Sequence, residues 1–265
     1  MKNTILSLIS SEYPWADRFH YFSSLDSTND RLKALARQGA PHGTVLMADY
    51  QTGGHGRLGR SFHSPAGMGI YMSILLRPEC TPADLMHLTC AAAVAMCDAV
   101  EKAAGFRPGI KWTNDLVHGK RKLGGILTEL GLSPKGRVEY AIIGIGINCC
   151  QQPADFPSEI RVIAGSLGIV SGQEIDRSRV AAAMLEALWH MDTILLTHKA
   201  EILNRYRESC ITIGQQISLV RGEEIRHGSA LDVDSEGALV VAFPDGHTEA
   251  VNSGEVSVRG MYGYV

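Results

Sequence analysis

Gln51-Thr52-Gly53-Gly54-His55-Gly56-Arg57-Leu58-Gly59-Arg60, followed by Ser61-Phe62-His63-Ser64-Pro65-Ala66-Gly67, is the stretch around which the reading of this chain is organised. Four glycines and two arginines fall within the eight residues from Gly53 to Arg60, so the backbone is free to fold closely around an anion that guanidinium groups neutralise. Read as text, Gly54, Gly56 and Gly59 spell G-x-G-x-x-G, and Gly54 through Ser61 nearly spell a Walker A loop. Both nucleotide motifs need a helix that begins at the last glycine, because its N-terminus receives the phosphates. Pro65 and Gly67 rule out that helix, and a Walker loop needs lysine where Arg60 stands. The glycines therefore serve a loop between two strands, residues 44–51 and 69–76, and any phosphate falls to Arg57, Arg60 and backbone amides.

Working upstream, residues 19–25 read as an apolar strand leading into Asp26-Ser27-Thr28-Asn29-Asp30, a run of helix-capping types. Leu32, Leu35 and Ala36 follow at helical spacing, and Gly39-Ala40-Pro41 closes that helix. Downstream, residues 82–104 are the longest helix candidate, with Pro82 in the first turn and Gly105 after the end. Lys111-Trp112-Thr113-Asn114-Asp115-Leu116, a turn at His118-Gly119-Lys120-Arg121 and the returning Lys122-Leu123-Gly124-Gly125-Ile126-Leu127-Thr128-Glu129 predict a hairpin. Such a hairpin sets a carboxylate, an amide and an ammonium around one site.

Residues 138–147 form another apolar strand, whose Gly144 and Gly146 leave one face open to close packing and whose end delivers Asn148. A polar, proline-containing loop covers 151–160, helices are expected at 178–197 and 200–209, and from Gly214 onward short alternating segments separated by turns predict a small all-β barrel.

With 265 residues, 45% of them hydrophobic and 20% charged, the chain suits one large domain, or one plus a small appendage. A net charge of −3 argues against a protein devoted to a nucleic-acid backbone. Six cysteines without a C-x-x-C pair read as buried, reduced thiols. The N-terminus lacks a signal-peptide pattern, and no apolar run approaches the roughly 18 residues of a membrane span. The cytoplasm is the expected location.

Asp26-Ser27-Thr28-Asn29, the 51–60 loop, Lys111-Trp112-Thr113-Asn114-Asp115, Lys122-Leu123-Gly124-Gly125-Ile126-Leu127 and Gly144-Ile145-Gly146-Ile147-Asn148 occur in the order and spacing of the biotin protein ligases, and the resemblance covers nearly the whole chain. It implies an α+β fold: a mixed central β-sheet flanked by helices, of class II synthetase type, over residues 1–212, and a small C-terminal SH3-like β-barrel over 213–265. The Ser-Thr-Asn motif begins within the first thirty residues, so the chain is similar to the short form without an N-terminal DNA-binding domain, and no DNA partner is expected. The implied reaction joins ATP and biotin into biotinyl-5′-adenylate, then transfers biotin to one lysine of a biotin carboxyl carrier protein.

By the same resemblance, Ser27, Thr28, Asn29, Gln51, Gly54, His55, Gly56, Arg57 and Lys122 would hold biotin. Arg57, Arg60, Trp112, Asn114, Lys122 and Asn148 would hold ATP. Lys122, Arg57 and Asp115 would be the catalytic set, with Asp115 also a candidate Mg²⁺ ligand or guide for the carrier lysine. His55 stands where the family usually has arginine, and residues 158–167, the counterpart of the adenine cover, offer Ile160, Val162 and Ile163 but no tryptophan. A monomer and a homodimer are both open. The alternatives are a lipoate ligase, which binds an apolar chain in place of a ureido ring, and a non-enzymatic biotin sensor.

Overall fold

Capping and alternation place most elements where the residues suggest. In the computed structural model, which describes residues 1–252 and 257–260, helix α1 (Lys2–Leu8) precedes strand β1 (Phe19–Phe22), helix α2 (Thr28–Arg37) and strands β2 (Thr44–Ala48) and β3 (Gly69–Leu76). Helix α3 (Leu88–Ala104) leads to strands β4 (Gly109–Lys111), β5 (Asp115–His118), β6 (Arg121–Leu132) and β7 (Val138–Asn148). Helices α4 (Leu167–Ser171), α5 (Arg177–Ile194) and α6 (Lys199–Ser209) follow. Last come β8 (Gln216–Arg221), β9 (Glu224–Val233), β10 (Leu239–Ala242), β11 (Thr248–Val251) and β12 (Ser257–Gly260).

The first seven strands form one sheet in the order β1-β2-β3-β7-β6-β5-β4. Only β1 and β2 run parallel, and the other neighbours are antiparallel. This is the mixed sheet the resemblance implies. Every residue of β3 is buried, as expected of a central strand covered on both faces. Helix α2 packs on one face over Leu46, Leu75 and Ile142, while α3 and α5 bury the other over Met72, Ile74, Ile143 and Ile145. Gly144 and Gly146 lie on the α2 face. A Cβ at Gly144 would stand 2.1 Å from Asn29 Oδ1, and one at Gly146 would stand 2.5 Å from the Phe62 ring. The two glycines thus let the N-terminus of α2 and the glycine-rich loop sit directly on the sheet.

Several boundaries differ from the sequence-based expectation. β1 ends at Phe22, and Leu25 makes only an isolated bridge to Gln51. The 82–104 segment is not one helix: Pro82–Leu85 is a 3₁₀ turn closed by a Thr81/Asp84 capping box, and α3 starts at Leu88. The same segment is long and apolar enough to cross a membrane, contrary to the expectation, yet 72% of its most apolar window is buried inside this protein. α1 and α4 span seven and five residues, too short to give a periodic signal. The cysteines are free, and all but Cys150 are buried.

The second sheet has the order β11-β10-β9-β8-β12, with every pair antiparallel. β9 begins at Glu224, earlier than expected, because Arg221–Glu224 closes a tight hairpin. Val256, expected in the last strand, lies outside the described residues.

Candidate active site

A cleft of about 830 Å³ opens above the α2 face, between the glycine-rich loop, the β5–β6 hairpin and the strand ends. Its closed end is built by the turn into α2. Ser27 is the N-cap, accepting from the Asp30 amide at 3.3 Å, as its residue type predicts. Capping leaves Thr28 beside Gln51: the Thr28 amide donates to Gln51 Oε1 at 2.9 Å, and Gln51 Nε2 donates to Ser64 Oγ at 3.2 Å. Ser27, Thr28, Asn29 and Gln51 all line the cleft.

The loop beyond Gln51 is a small irregular hairpin. Gly56 N–H donates to Arg60 O, Phe62 N–H donates to Gly54 O, and Leu58, 63% exposed, takes a left-handed φ of 56° at the tip. His55, Gly56, Arg57 and Arg60 line the cleft, but Gly54 does not. A Cβ at Gly54 would come within 2.8 Å of Gln51 Nε2 and 2.7 Å of Ser64 Oγ, so Gly54 lets the loop close down on Gln51. The His55 ring has Nδ1 3.2 Å from Gly53 O and 3.7 Å from Asp30 Oδ2.

The hairpin places the charged groups. Lys122 Nζ stands 2.6 Å from Asp115 Oδ1, both beside Gly125, which pairs with Asp115 across the strands. Asn114 Nδ2 donates to Ile126 O at 2.9 Å, which leaves its Oδ1 to accept from Arg57 Nη1 at 3.0 Å. That bond ties the glycine-rich loop to the hairpin. Burial pulls the Arg57 pKa down, with Asp115 opposing the shift. The residues predicted to be catalytic, Lys122, Arg57 and Asp115, thus meet in one place.

Two predicted residues are occupied by the fold itself. Asn148 is 6% exposed, with Nδ2 donating to Gly165 O at 2.9 Å and Oδ1 accepting from Gln151 Nε2 at 3.1 Å. Its side chain thereby pins the segment carrying Ile160, Val162 and Ile163 beside the cleft, where Val162 is 82% exposed. Lys122 pins that segment from the other side, donating its amide to Ile163 O at 2.7 Å and accepting from Gly165 N–H at 2.8 Å. Trp112 lines the cleft although it is only 4% exposed, and its Nε1 donates to Gly237 O at 3.1 Å, in the turn between β9 and β10.

Sequence reasoning missed four contributors. Lys111 lines the cleft, where burial pulls its pKa down to about 8, and Lys120 joins it from the hairpin turn. Phe62 covers Gly146. Arg259 reaches the cleft from β12, in a barrel whose residues carry no readable chemistry. Lys111, Lys120 and Phe62 all lie in stretches already singled out, which was the usable signal; Arg259 had none.

A model of the biotin/lipoate A/B protein ligase family matches residues 21–148, and one of the biotin protein ligase C-terminal domain matches 212–259. The chain is 39% identical to the bifunctional ligase/repressor BirA of Bacillus subtilis, over 85% of this chain and 70% of that protein. It is 31% identical to the biotin–[acetyl-CoA-carboxylase] ligase of Mycobacterium tuberculosis, over 87% of this chain and 85% of that one. Among solved structures, the biotin protein ligase from Aquifex aeolicus in complex with biotin and ATP matches with a TM-score of 0.77 and 28% identity, covering 91% of this chain and 98% of that chain.

Proposed function

The chain belongs to the biotin protein ligases, and we propose that the cleft between its glycine-rich loop and its β5–β6 hairpin is where biotin is activated and handed on. The enzyme is an ATP-dependent ligase that attaches biotin to a carboxylase's carrier. The observation that carries the residue assignment is the convergence of two bonded pairs, Lys122 with Asp115 and Arg57 with the adjacent Asn114, on one cleft.

At the closed end, Ser27, Thr28 and Gln51 offer the donors and acceptors that a ureido ring needs, with His55 and Gly56 bounding that end through their backbone. In the first step the biotin carboxylate oxygen attacks the α-phosphorus of ATP. An oxygen–phosphorus bond forms, the α–β phosphoanhydride breaks and pyrophosphate leaves. Two anions must meet, so cations between them lower the barrier. Lys122 is placed to bridge carboxylate and α-phosphate. Arg57 and Arg60, with Lys111, hold the phosphates. Trp112 and Asn114 shape the nucleotide side, Asn148 fixes its rear wall, and Ile160, Val162 and Ile163 offer an apolar cover for adenine.

Among the described residues, no group of three or more His, Cys, Asp or Glu could hold a metal ion. Among the described residues that line the cleft, Asp115 is the one acidic residue. That donor set fits a Mg²⁺ carried mainly by phosphate oxygens with one protein carboxylate, and the ion when bound supplies further neutralisation of phosphate charge. In the second step the carrier lysine's neutral amine attacks the acyl carbon, the bond from that carbon to the phosphate oxygen breaks, AMP leaves, and the nitrogen gives up one proton to solvent as the amide forms. Asp115 is placed to receive a hydrogen bond from that amine. The division into a catalytic part, 1–212, and a barrel, 213–265, is supported by the change of sheet after Thr212.

The test is incubation of purified protein with labelled biotin, ATP, Mg²⁺ and a carrier domain. Pyrophosphate release and covalent label on one carrier lysine are expected. Activation of lipoate in place of biotin, or biotin binding without covalent transfer, overturns the reading.

A further inference from the structure

The apolar cover and the cation beside it are joined through the backbone. Ile160, Val162 and Ile163 sit in a turn that lines the cleft, and three consecutive carbonyls at the end of that turn are each taken by a different donor. Ile163 O accepts from the Lys122 amide at 2.7 Å, Ala164 O from Arg121 Nη1 at 2.9 Å, and Gly165 O from Asn148 Nδ2 at 2.9 Å. The Gly165 amide donates back to Lys122 O at 2.8 Å. Both backbone polar groups of Lys122 thus bond to the cover, in a one-residue parallel bridge between Lys122 and Ala164.

Packing seals the joint. A Cβ at Gly165 would stand 2.9 Å from Arg121 Cβ and 3.3 Å from Leu123 Cδ2, the side chains on either side of Lys122. Only glycine lets the cover come this close. The Lys122 side chain leaves the same backbone for the cleft, where Nζ meets Asp115 Oδ1 at 2.6 Å. A tilt of the cover that carries its carbonyls along therefore turns the peptides of Lys122 and its Cα–Cβ direction with them. At the end of lysine's four-carbon stem a small turn grows into a shift on the order of 1 Å, and misplacement on that scale costs up to about a hundredfold in rate. Arg121 does not itself line the cleft, and its guanidinium reaches the reacting centre only through this joint.

We propose that Arg121 is a positioning residue that locks the cover to the backbone of Lys122, so that a base seated under Ile160, Val162 and Ile163 sets the place of the Lys122 ammonium. The inference rests on the reading of these three residues as the adenine cover and of Lys122 as the bridging cation. It adds that the base serves the chemical step as well as binding. Binding energy gained far from the reacting atoms then appears in kcat. Without the base the cover is free to tilt, and the ammonium loses its fixed place between carboxylate and α-phosphate.

Pyrophosphate release at saturating biotin, measured with ATP and with ribose 5′-triphosphate, which keeps the α-phosphorus and lacks the base, tests this. In the wild type, loss of the base should raise KM and also lower kcat by at least about tenfold. Arg121→Met should lower kcat with ATP about tenfold, the scale of one charge-assisted hydrogen bond, and leave kcat with ribose 5′-triphosphate within about twofold of wild type. The kcat ratio between the two triphosphates then falls toward one, which a merely structural role does not produce. Arg121→Lys keeps a cationic donor and should recover most of the ratio. Gly165→Ala pushes the cover off Arg121 by packing alone and should shrink the ratio as well, so it carries the test if Arg121→Met fails to fold. Calorimetric biotin binding without ATP should stay at the wild-type value in all three variants. A wild-type base penalty confined to KM, or a ratio unchanged in both Arg121→Met and Gly165→Ala, overturns the inference and leaves the adenine cover standing. A wild type that shows no base penalty in KM or in kcat removes the cover reading, and the inference with it.

Discussion

Lys122 and Asp115 sit on opposite strands of one hairpin with Nζ and Oδ1 2.6 Å apart, and the tight turn between the strands brings them together beside Gly125. The carboxylate holds the ammonium at the cleft wall before any substrate enters. The pair is therefore preorganised, so the cation needs little rearrangement when two anions are brought together.

Lys122→Ala should cost at least about a hundredfold in biotin-dependent ATP–pyrophosphate exchange, the scale for removing one preorganised electrostatic contact. Because Lys122 is part-exposed on a hairpin, thermal unfolding should stay near wild type. Exchange within threefold of wild type removes Lys122 from the reacting centre.

Arg57→Gly cuts the 3.0 Å bond from the glycine-rich loop to Asn114 and adds freedom to a loop already rich in glycine. The cover over the adenylate should open, releasing a reactive mixed anhydride. Labelling of lysines on bystander proteins, scored by blotting or mass spectrometry, should rise several-fold relative to the carrier. Carrier selectivity equal to wild type counts against Arg57 as the latch.

Lys111 gives a pH signature. Burial pulls its pKa down to about 8, partly opposed by Asp115, so its positive charge is present below that pH and lost above it. KM for ATP should be flat below pH about 7 and rise across about pH 8 to 9, and Lys111→Met should abolish that rise. The linkage has a definite sign. A lysine with a lowered pKa in the fold makes the unliganded protein more stable as pH climbs from about 8 toward the unfolded value near 10.4. Titration of KM and Tm against pH in both variants checks the two effects together.

Trp112→Phe keeps the ring face but deletes the donor to Gly237 O, 3.1 Å away in the barrel. Loss of one buried hydrogen bond costs about 1 kcal/mol, or a Tm lower by about 2 to 4 °C for a chain of this size. Calorimetric unfolding tests this. An unchanged Tm means that the barrel does not lean on Trp112.

Gly144→Ala puts a methyl group where the Asn29 amide lies, at a separation of 2.1 Å that no packing tolerates. Asn29 must leave its place, breaking its bonds to Ser73 and Glu129. A loss of about 1 to 3 kcal/mol is expected from overpacking, together with at least tenfold weaker biotin binding. Full affinity in a destabilised Gly144→Ala protein would show that Asn29 is dispensable to the ring end.

The local chemistry of this chain was legible from its residues. Ser27 caps a helix because its hydroxyl finds an amide three residues on. Pro65 and Gly67 exclude a phosphate-binding helix after Arg60, and the turn at His118–Arg121 sets Asp115 against Lys122. Each of these follows from interactions spanning a few residues, which the order of side chains dictates directly. Only the tertiary structure decided that Ser73 stands behind Thr28, that Asn148 is spent on Gly165, that Trp112 reaches Gly237 and that Arg259 joins the cleft. Except for Asn148 and Gly165, these partners lie far apart along the chain. All of them are set by strand order, sheet register and the docking of one sheet on another. Those choices depend on how whole faces bury against each other, and no local pattern of residues records them.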